Sequence, residues 1–246
     1  MTHALTEIAR LGPPMAVHSL AYAGGTLIAG GRDGDVLIWR RDPAGWDPVE
    51  APAGSGPRAV ALTPDGAGVY VSEGPVVQTA PIRKHLRRLR PFFEAPAPVR
   101  ALAWSPGGET LVVQAGDRVH ALDWTGREQW SQVATGFSWH PGGQRVLLAT
   151  DGLAWFERQT GVRQGPMGPV PAVFCVTFDG RIATADAGQV LAASPTGLAV
   201  GGDGLTVRGA EGTWAVQARV DHVVWTGPRE LAVAGGGDSA ITTFML

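Results

Sequence analysis

The most constraining feature of this chain is a segment that recurs six times along it. Each copy is a short, largely apolar run that usually ends in a large residue and leads into a tight turn. The copies end at Tyr22, Thr63, Trp104, Trp139, Phe178 and Trp225. Successive ends lie 35 to 47 positions apart, and this period is typical of a repeat fold whose unit is about four short strands.

Glycine-rich and proline-rich turns follow these runs, among them Ser105-Pro106-Gly107-Gly108 and His140-Pro141-Gly142-Gly143. Such turns supply the positive φ angles that hairpins need. Further β-rich runs come after each turn, helical periodicity is absent, and the chain holds 35 Gly and 19 Pro. The pattern predicts an all-β fold, a single-domain β-propeller over residues 1–246 built from four-stranded antiparallel blades.

The number of blades depends on the stretch between Phe178 and Trp225. Five strand-like runs occur there, where one regular blade would leave three, and Ser194-Pro195-Thr196-Gly197 resembles the first hairpin turn of a further blade. The spacing favours six blades and leaves a seventh, abbreviated blade open. The last repeat stops at its third strand, so we expect residues 4–11 to supply its outer strand and close the ring.

Two stretches resemble a known family. Residues 30–39 are similar to the second half of a WD40 repeat, with Asp33 six positions before Trp39 and Val36 at its usual offset, and residues 236–244 repeat this spacing from Asp238 to Phe244. Residues 104–113 are similar to the family's first hairpin. No Gly-His dipeptide precedes any inner strand, so we do not expect the family's buried hydrogen-bond network. Residues 119–130 also resemble a quinoprotein-type repeat, and both resemblances imply a propeller.

The overall charge excludes a general affinity for nucleic acid, because the formal net charge is −2. The only cysteine, Cys175, lies in an apolar run and is interpreted as a small core residue. The N-terminus lacks a charged start followed by an apolar stretch, and no run is long enough to span a membrane. These observations predict a cytoplasmic protein, and the scarcity of lysine suggests a bacterial, GC-rich source.

A basic segment is the first candidate for binding a partner. It contains Arg83, Lys84, Arg87, Arg88 and Arg90, followed by Phe92 and Phe93. The basic side chains could hold phosphates or an acidic partner, and the two phenylalanines could stack or anchor a groove. The alternative is a charged outer strand of the second blade that protects a sheet edge from pairing.

The mouth of the central channel is the second candidate. The starts of the inner strands meet there, which should gather His18, Arg100, Thr135, Asp221 and His222. Two imidazoles and a carboxylate would suit zinc or nickel. A solvated polar rim is the favoured interpretation, so we predict no metal and no cofactor.

The nine tryptophans are interpreted mainly as packing residues. Trp104, Trp139 and Trp225 end inner strands and should be core. Three others, Trp46, Trp130 and Trp214, follow glycine turns at the start of outer strands and should pack between blades. Trp124 and Trp155 have no such place and could be exposed.

These features favour a non-catalytic protein-interaction scaffold, the role that the WD40 resemblance implies, with an unknown protein partner and no membrane. Signatures of a nucleophile elbow, a zinc protease helix or a phosphate loop are missing. Two alternatives stay open. One is a propeller enzyme of the lactonase, lyase or quinoprotein type with its site at the channel mouth, and the other is nucleic-acid binding through the basic segment.

Overall fold

The fold is all-β, as the sequence predicts. A computed structural model describes residues 2–13, 15–49, 51, 54–83, 86, 88–217, 219–235 and 241–246. The described residues form 27 β-strands and no helix. Consequently none of them belongs to a helix that could cross a membrane.

The first half of the chain forms three complete blades, preceded by two N-terminal strands. These two strands are β1 (Thr2–Ala4) and β2 (Thr6–Leu11). Blade 1 comprises β3 (Val17–Ala23), β4 (Thr26–Gly31), β5 (Val36–Asp42) and β6 (Gly45–Val49). Blade 2 comprises β7 (Val60–Leu62), β8 (Gly68–Glu73), β9 (Val76–Pro81) and β10 (Arg90–Glu94). Blade 3 comprises β11 (Val99–Trp104), β12 (Thr110–Ala115), β13 (Arg118–Asp123) and β14 (Glu128–Val133).

The second half adds three more complete blades and one short hairpin. Blade 4 comprises β15 (Phe137–Trp139), β16 (Arg145–Ala149), β17 (Leu153–Glu157) and β18 (Arg163–Gly168). The hairpin, here called the short blade, comprises β19 (Val173–Val176) and β20 (Ile182–Ala185). Blade 5 comprises β21 (Val190–Ser194), β22 (Gly197–Gly201), β23 (Leu205–Gly209) and β24 (Gly212–Val216). Blade 6 contains β25 (His222–Gly227), β26 (Glu230–Ala234) and β27 (Ile241–Met245).

The innermost strands form a closed ring. Neighbouring members contact each other in the order β3, β7, β11, β15, β19, β21, β25 and back to β3, with β11 and β15 joined by the hydrogen bond from Trp139 to Ala103. Six positions of the ring carry four-stranded antiparallel blades, which confirms the favoured count, and the short blade takes the position between blades 4 and 5. The abbreviated blade left open by the sequence is therefore the hairpin, and the turn at Ser194 begins a complete blade.

The N-terminus closes the ring, as predicted. Strand β2 pairs antiparallel with β27, from Thr6 opposite Met245 to Leu11 opposite Ile241, and so completes blade 6. The predicted segment also included Ala4, which lies instead in β1. That strand runs parallel to β24, with Ala4 opposite Ala215. The first eleven residues thus connect blade 6 with blade 5.

Tight turns join the first two strands of several blades in the same way. In blade 2 the Thr63 hydroxyl lies 2.5 Å from the Asp65 carboxylate, which also accepts the Ala67 N–H at 3.0 Å. Gly66 follows at φ +70°, where a Cβ would lie 2.4 Å from the Ala23 carbonyl oxygen of blade 1. Thr177 and Asp179 repeat the hydroxyl–carboxylate contact in the short blade. Glycine at position 66 is thus required both by the turn and by the adjacent blade.

Apolar side chains pack between blades. The second strands of blades 1, 3 and 6 are buried at every residue, since both their faces meet a neighbouring sheet. The Trp139 indole N–H donates to the Ala103 carbonyl at 3.2 Å, and Trp225 donates to Ala192 at 3.1 Å. In each case an inner strand is tied to the blade before it.

The remaining tryptophans divide as follows. Trp130 and Trp214 are buried, and Trp130 donates to the Arg158 carbonyl of blade 4 at 2.7 Å, which confirms packing between blades. Trp124 is 74% exposed, as the sequence allowed, whereas Trp155 is buried against the short blade. Phe178 is 61% exposed, and it follows the first strand of the short blade, for which the described residues provide no third or fourth strand.

Buried arginines also bridge the blades. Arg58, which is 3% exposed, donates to the Gly34 carbonyl of blade 1 at 3.3 Å and to the Ser72 carbonyl of blade 2 at 2.9 Å. Its guanidinium also lies 3.1 Å from the Glu73 carboxylate. Arg58 thus supplies a donor to the Ser72 carbonyl and a second donor to the Gly34 carbonyl, which also accepts the Gly54 N–H at 3.1 Å.

Candidate docking surfaces

The basic segment connects β9 to β10 and only its last residues belong to the outer strand. Ile82 and Leu86 are buried in the core between blades 1 and 2, and they anchor the connection. Arg40 of blade 1 adds a hydrogen bond to the Ile82 carbonyl at 3.1 Å. Arg83, Arg88 and Arg90 are exposed, whereas Lys84 and Arg87 lie outside the described residues.

The three described arginines line a cavity, here called the arginine groove, which has a volume of about 950 Å³. Thr63, Tyr70 and Thr79 contribute hydroxyl groups to its lining, and Asp65 contributes a carboxylate. Hydrogen bonds from Thr63 and from the Ala67 N–H lower the pKa of Asp65, so this carboxylate is ionised.

The arginines of the groove carry uncompensated charge. None of the carboxylates in the described part of the chain forms an ion pair with Arg83, Arg88 or Arg90. Burial raises the pKa of Tyr70, so its phenol is a neutral donor at physiological pH. The groove therefore offers cationic guanidinium donors to an acidic ligand.

Phe92 and Phe93 are half-buried and pack within the propeller. The Phe92 ring lies 5.0 Å from that of Tyr70, edge to face, and Phe93 lies 5.6 Å from His120 of blade 3. Both rings belong to the core between blades 2 and 3. Their main contribution is to hold β10, and with it Arg90, at the side of the groove.

At the channel mouth the structure brings together part of the predicted set. The His222 ring donates to the Val17 carbonyl at 3.2 Å, and His18 forms a hydrogen bond to the Arg100 backbone. Asp221 pairs with Arg219 at 3.3 Å. Thr135 belongs to another part of the rim, where its N–H bonds Ala149 within blade 4.

Burial makes the two imidazoles neutral. It lowers the pKa of His222, a shift reinforced by the positive charge of Arg32 and opposed by the Val17 hydrogen bond and by Asp221. Burial and Arg32 lower the pKa of His18 as well. In the described part of the chain, no three His, Cys, Asp or Glu side chains are grouped in a way that could hold a metal ion.

Two arginines of the mouth were missed by the sequence reasoning. Arg32 and Arg219 line a cavity of about 240 Å³ together with Asp221 and His222. Arg32 follows β4, in the turn that leads into β5. Each second strand is antiparallel to its inner strand, so it ends at the mouth where the inner strand begins. The turns that follow second strands therefore lie at this mouth, and examining them would have identified Arg32.

Comparison with known proteins gives no assignment. Models of known protein families yield no match to this chain, and a search of the curated proteins finds no matching sequence.

Proposed function

We propose that this propeller is a non-catalytic protein-binding platform, and that the arginine groove binds an acidic segment of a partner protein. The observation that carries the proposal is the presence of Arg83, Arg88 and Arg90 along one groove, with no carboxylate partner among the described residues. Guanidinium groups bind carboxylates through paired, charge-assisted hydrogen bonds. The energy of such contacts is available to a partner because no internal ion pair has to be broken.

The groove also has a size that suits a peptide segment. Its volume of about 950 Å³ is at the upper end of the range of small-molecule sites. Leu86 and Ile82 are buried and anchor the basic segment to the core. The exposed arginines are therefore attached to a backbone that is held in place. A supported site loses less conformational entropy when it binds.

The channel mouth supports binding over chemistry. Its one predicted acid, Asp221, is engaged with Arg219. The nearby imidazoles of His222 and His18 are engaged in hydrogen bonds to the backbone of Val17 and of Arg100. A general base needs a free group within reach of substrate, and the mouth offers a polar rim better suited to hydrogen bonding.

The proposal includes kinship with WD40 proteins and a cytoplasmic location. The stretch that resembles a WD40 repeat forms the β4–β5 hairpin, and its Trp39 is buried as the resemblance implies. The thiol of Cys175 is kept inert because burial raises its pKa to about 11. A single unreactive thiol suits a compartment where disulfides do not form.

The test is binding of a fluorescein-labelled oligoglutamate peptide, measured by fluorescence polarisation. The change is Arg83, Arg88 and Arg90 to Ala together, and we expect binding at least about tenfold weaker than in the wild type. A matched control removes three exposed arginines elsewhere, Arg10, Arg127 and Arg181, and so gives the same net charge. Equal loss in both variants would show that only overall charge matters and would contradict the proposal.

The same variants address the natural partner and the nucleic-acid alternative. Affinity capture from bacterial lysate should recover proteins with the wild type and the control variant that are lost with the groove variant. A single-stranded DNA oligonucleotide should bind more weakly than the peptide. If the oligonucleotide binds more tightly, with a steep dependence on salt, the groove binds nucleic acid instead.

A further inference from the structure

The short blade leaves one strand edge open. Strand β20 pairs with β19 along Ile182–Ala185, and no described strand pairs with its other edge. In each of the six complete blades, a third strand pairs with the corresponding second strand. An unpaired edge presents backbone N–H and C=O groups to which an extended peptide can add.

The register identifies the open groups. The Thr177 N–H donates to the Arg181 carbonyl at 2.8 Å, so these two residues face each other as a hydrogen-bonded pair. In an antiparallel ladder such pairs alternate, which directs the groups of Ala183 and Ala185 toward β19. The N–H and C=O groups of Ile182 and Thr184 therefore point outward, to the side where a third strand would lie.

Blade 5 forms one wall of the vacant space. Ala199, Leu205 and Val207 pack toward blade 6. Because successive side chains of a strand point to opposite faces, Leu198, Val200, Thr206 and Arg208 face the short blade. Val200 and Arg208 line a cavity of about 510 Å³ together with Thr184 and Ala185.

The charge on this wall indicates which side chains a bound segment would need. No carboxylate of the described residues pairs with Arg208, which is exposed at the cavity. Asp186 lies directly after β20 and lines the same cavity, but it forms no ion pair with Arg208 among the described residues. Val200, together with Pro171 and Ala172 in the same cavity, favours apolar side chains on the added strand, and Arg208 favours a carboxylate.

We propose that the short blade is a docking site for an extended segment of a partner protein, which adds to β20 as a third strand and places an acidic side chain against Arg208. The occupant alternates apolar and polar residues, because successive side chains of an added strand point to opposite faces and one face meets the apolar wall. The surface is separate from the arginine groove, and it uses backbone pairing in place of a cluster of arginines.

A labelled peptide of alternating valine and threonine with one central glutamate is the probe, and fluorescence polarisation gives its affinity. T184P removes an outward N–H and leaves the β19–β20 hydrogen bonds in place, so binding should weaken by about tenfold or more. T184V keeps the backbone edge and should bind like the wild type. R208E should lose the glutamate peptide and bind the corresponding lysine peptide instead.

A second measurement covers the case in which T184P fails to fold. Two versions of the peptide are compared, each N-methylated at alternate amides. Only one set of amides faces β20, so methylation of that set alone should block pairing. We expect one methylated peptide to bind and the other to fail on the wild-type protein. Equal binding of both, no binding by the wild type, or unchanged preference in R208E overturns the proposal.

A wild-type protein that sediments as a monomer supports the proposal, because the edge of β20 is then not occupied by a second copy of this chain. A dimer that persists in T184V but is lost in T184P assigns the edge to a second copy of this chain and overturns the proposal. Neither result changes with the arginine-groove variant, so the two sites are tested independently.

Discussion

Single polar side chains link blades that are far apart in sequence. Arg58 holds the Gly34 carbonyl of blade 1 and the Ser72 carbonyl of blade 2, and Arg41 of blade 1 pairs with the buried Glu230 of blade 6. A buried charge requires several such contacts to offset its desolvation. At the scale of the residue, the ring is therefore sensitive to a few arginines that no local pattern singles out.

Replacing Arg58 with Met should lower the free energy of unfolding by about 1–3 kcal/mol, because the buried Ser72 carbonyl loses its donor and the Gly34 carbonyl keeps only the Gly54 N–H. Urea denaturation followed by tryptophan fluorescence measures the change. The control is Glu73→Gln, which removes a half-exposed partner and should cost less than about 1 kcal/mol. Similar losses in both variants would mean that the ion pair, and not the carbonyl contacts, is the stabilising interaction.

Acidification should destabilise the protein through His222. Burial lowers its pKa in the folded state, so the unfolded chain binds more protons as the pH falls below the ordinary histidine pKa of about 6.5. Stability is complete above that pH and decreases as the pH falls toward the folded pKa. Arg32 and His18, which face this imidazole, oppose its protonation, whereas Asp221 favours it.

In His222→Gln the loss of stability between neutral and mildly acidic pH should be smaller than in the wild type. Urea denaturation at the two pH values gives the difference for each protein. His3→Gln serves as the control, because His3 lies beside Trp214 on the outer side of blade 5 and away from the mouth. An unchanged pH dependence in the His222 variant would remove this residue as the source.

At the scale of the element, hydrogen bonds between neighbouring blades stabilise the inner strands. Trp139 at the end of β15 donates to Ala103 in β11, and Ser138 accepts the Val176 N–H of β19 at 3.0 Å. Strand β15 is thus tied to the blade before it and to the short blade after it. Similar ties recur where Ser19 of β3 accepts the Val60 N–H at 3.3 Å.

Trp139→Phe should cost about 1–2 kcal/mol of unfolding free energy, because the Ala103 carbonyl loses its donor while the ring remains apolar. Thermal or urea denaturation checks the value. Trp124→Phe is the matched control at a side chain that is 74% exposed, and it should leave stability within about 0.5 kcal/mol of the wild type. A neutral Trp139 variant would show that the cross-blade hydrogen bond adds no stability.

At the scale of the whole molecule, the chain is closed by its first strands. Strand β2 completes blade 6, and β1 adds a parallel strand to blade 5. Leu5 and Leu11, which lie in this N-terminal segment, are buried in the cores of blades 5 and 6 and of blades 6 and 1. Closure therefore depends on pairing and on apolar burial together.

Removing residues 1–11 should lower stability by about 3 kcal/mol or more, because two buried leucines and a complete strand are lost. Removing residues 1–4 alone takes away β1 and should have a much smaller effect. Thermal denaturation measures the stability of each truncated chain, and light scattering detects aggregation through the exposed edge of β27. Equal stability of the two truncated chains would contradict closure through β2.

The sequence predicted those features that are local or repeat along the chain. The six inner segments, the Ser105 and His140 turns and a closing strand within residues 4–11 all follow from local pattern or from the need to close a ring. The parallel pairing of β1 with β24, the assignment of the missing strands to the β19–β20 hairpin, and the contacts of Arg58 depend on which blades become neighbours. No local periodicity encodes those contacts.

The candidate surfaces were predictable to different degrees. The cluster from Arg83 to Arg90 is evident from charge alone, and its exposed arginines do line a groove. The inward packing of Phe92 and Phe93 was not evident, because an aromatic side chain suits a core and a surface equally well. Arg208 was missed because one arginine on a regular strand carries no signal until the adjacent strand is known to be absent.

The short blade has a consequence for how such rings can be altered. Its two strands, Val173–Val176 and Ile182–Ala185, keep the inner circle complete. The innermost strands of a repeat are thus enough to fill its position in the ring, and its outer strands are not needed for closure. The linker between Ala185 and Val190 is therefore a natural splice point, where a grafted hairpin or a foreign domain could be accommodated without opening the circle.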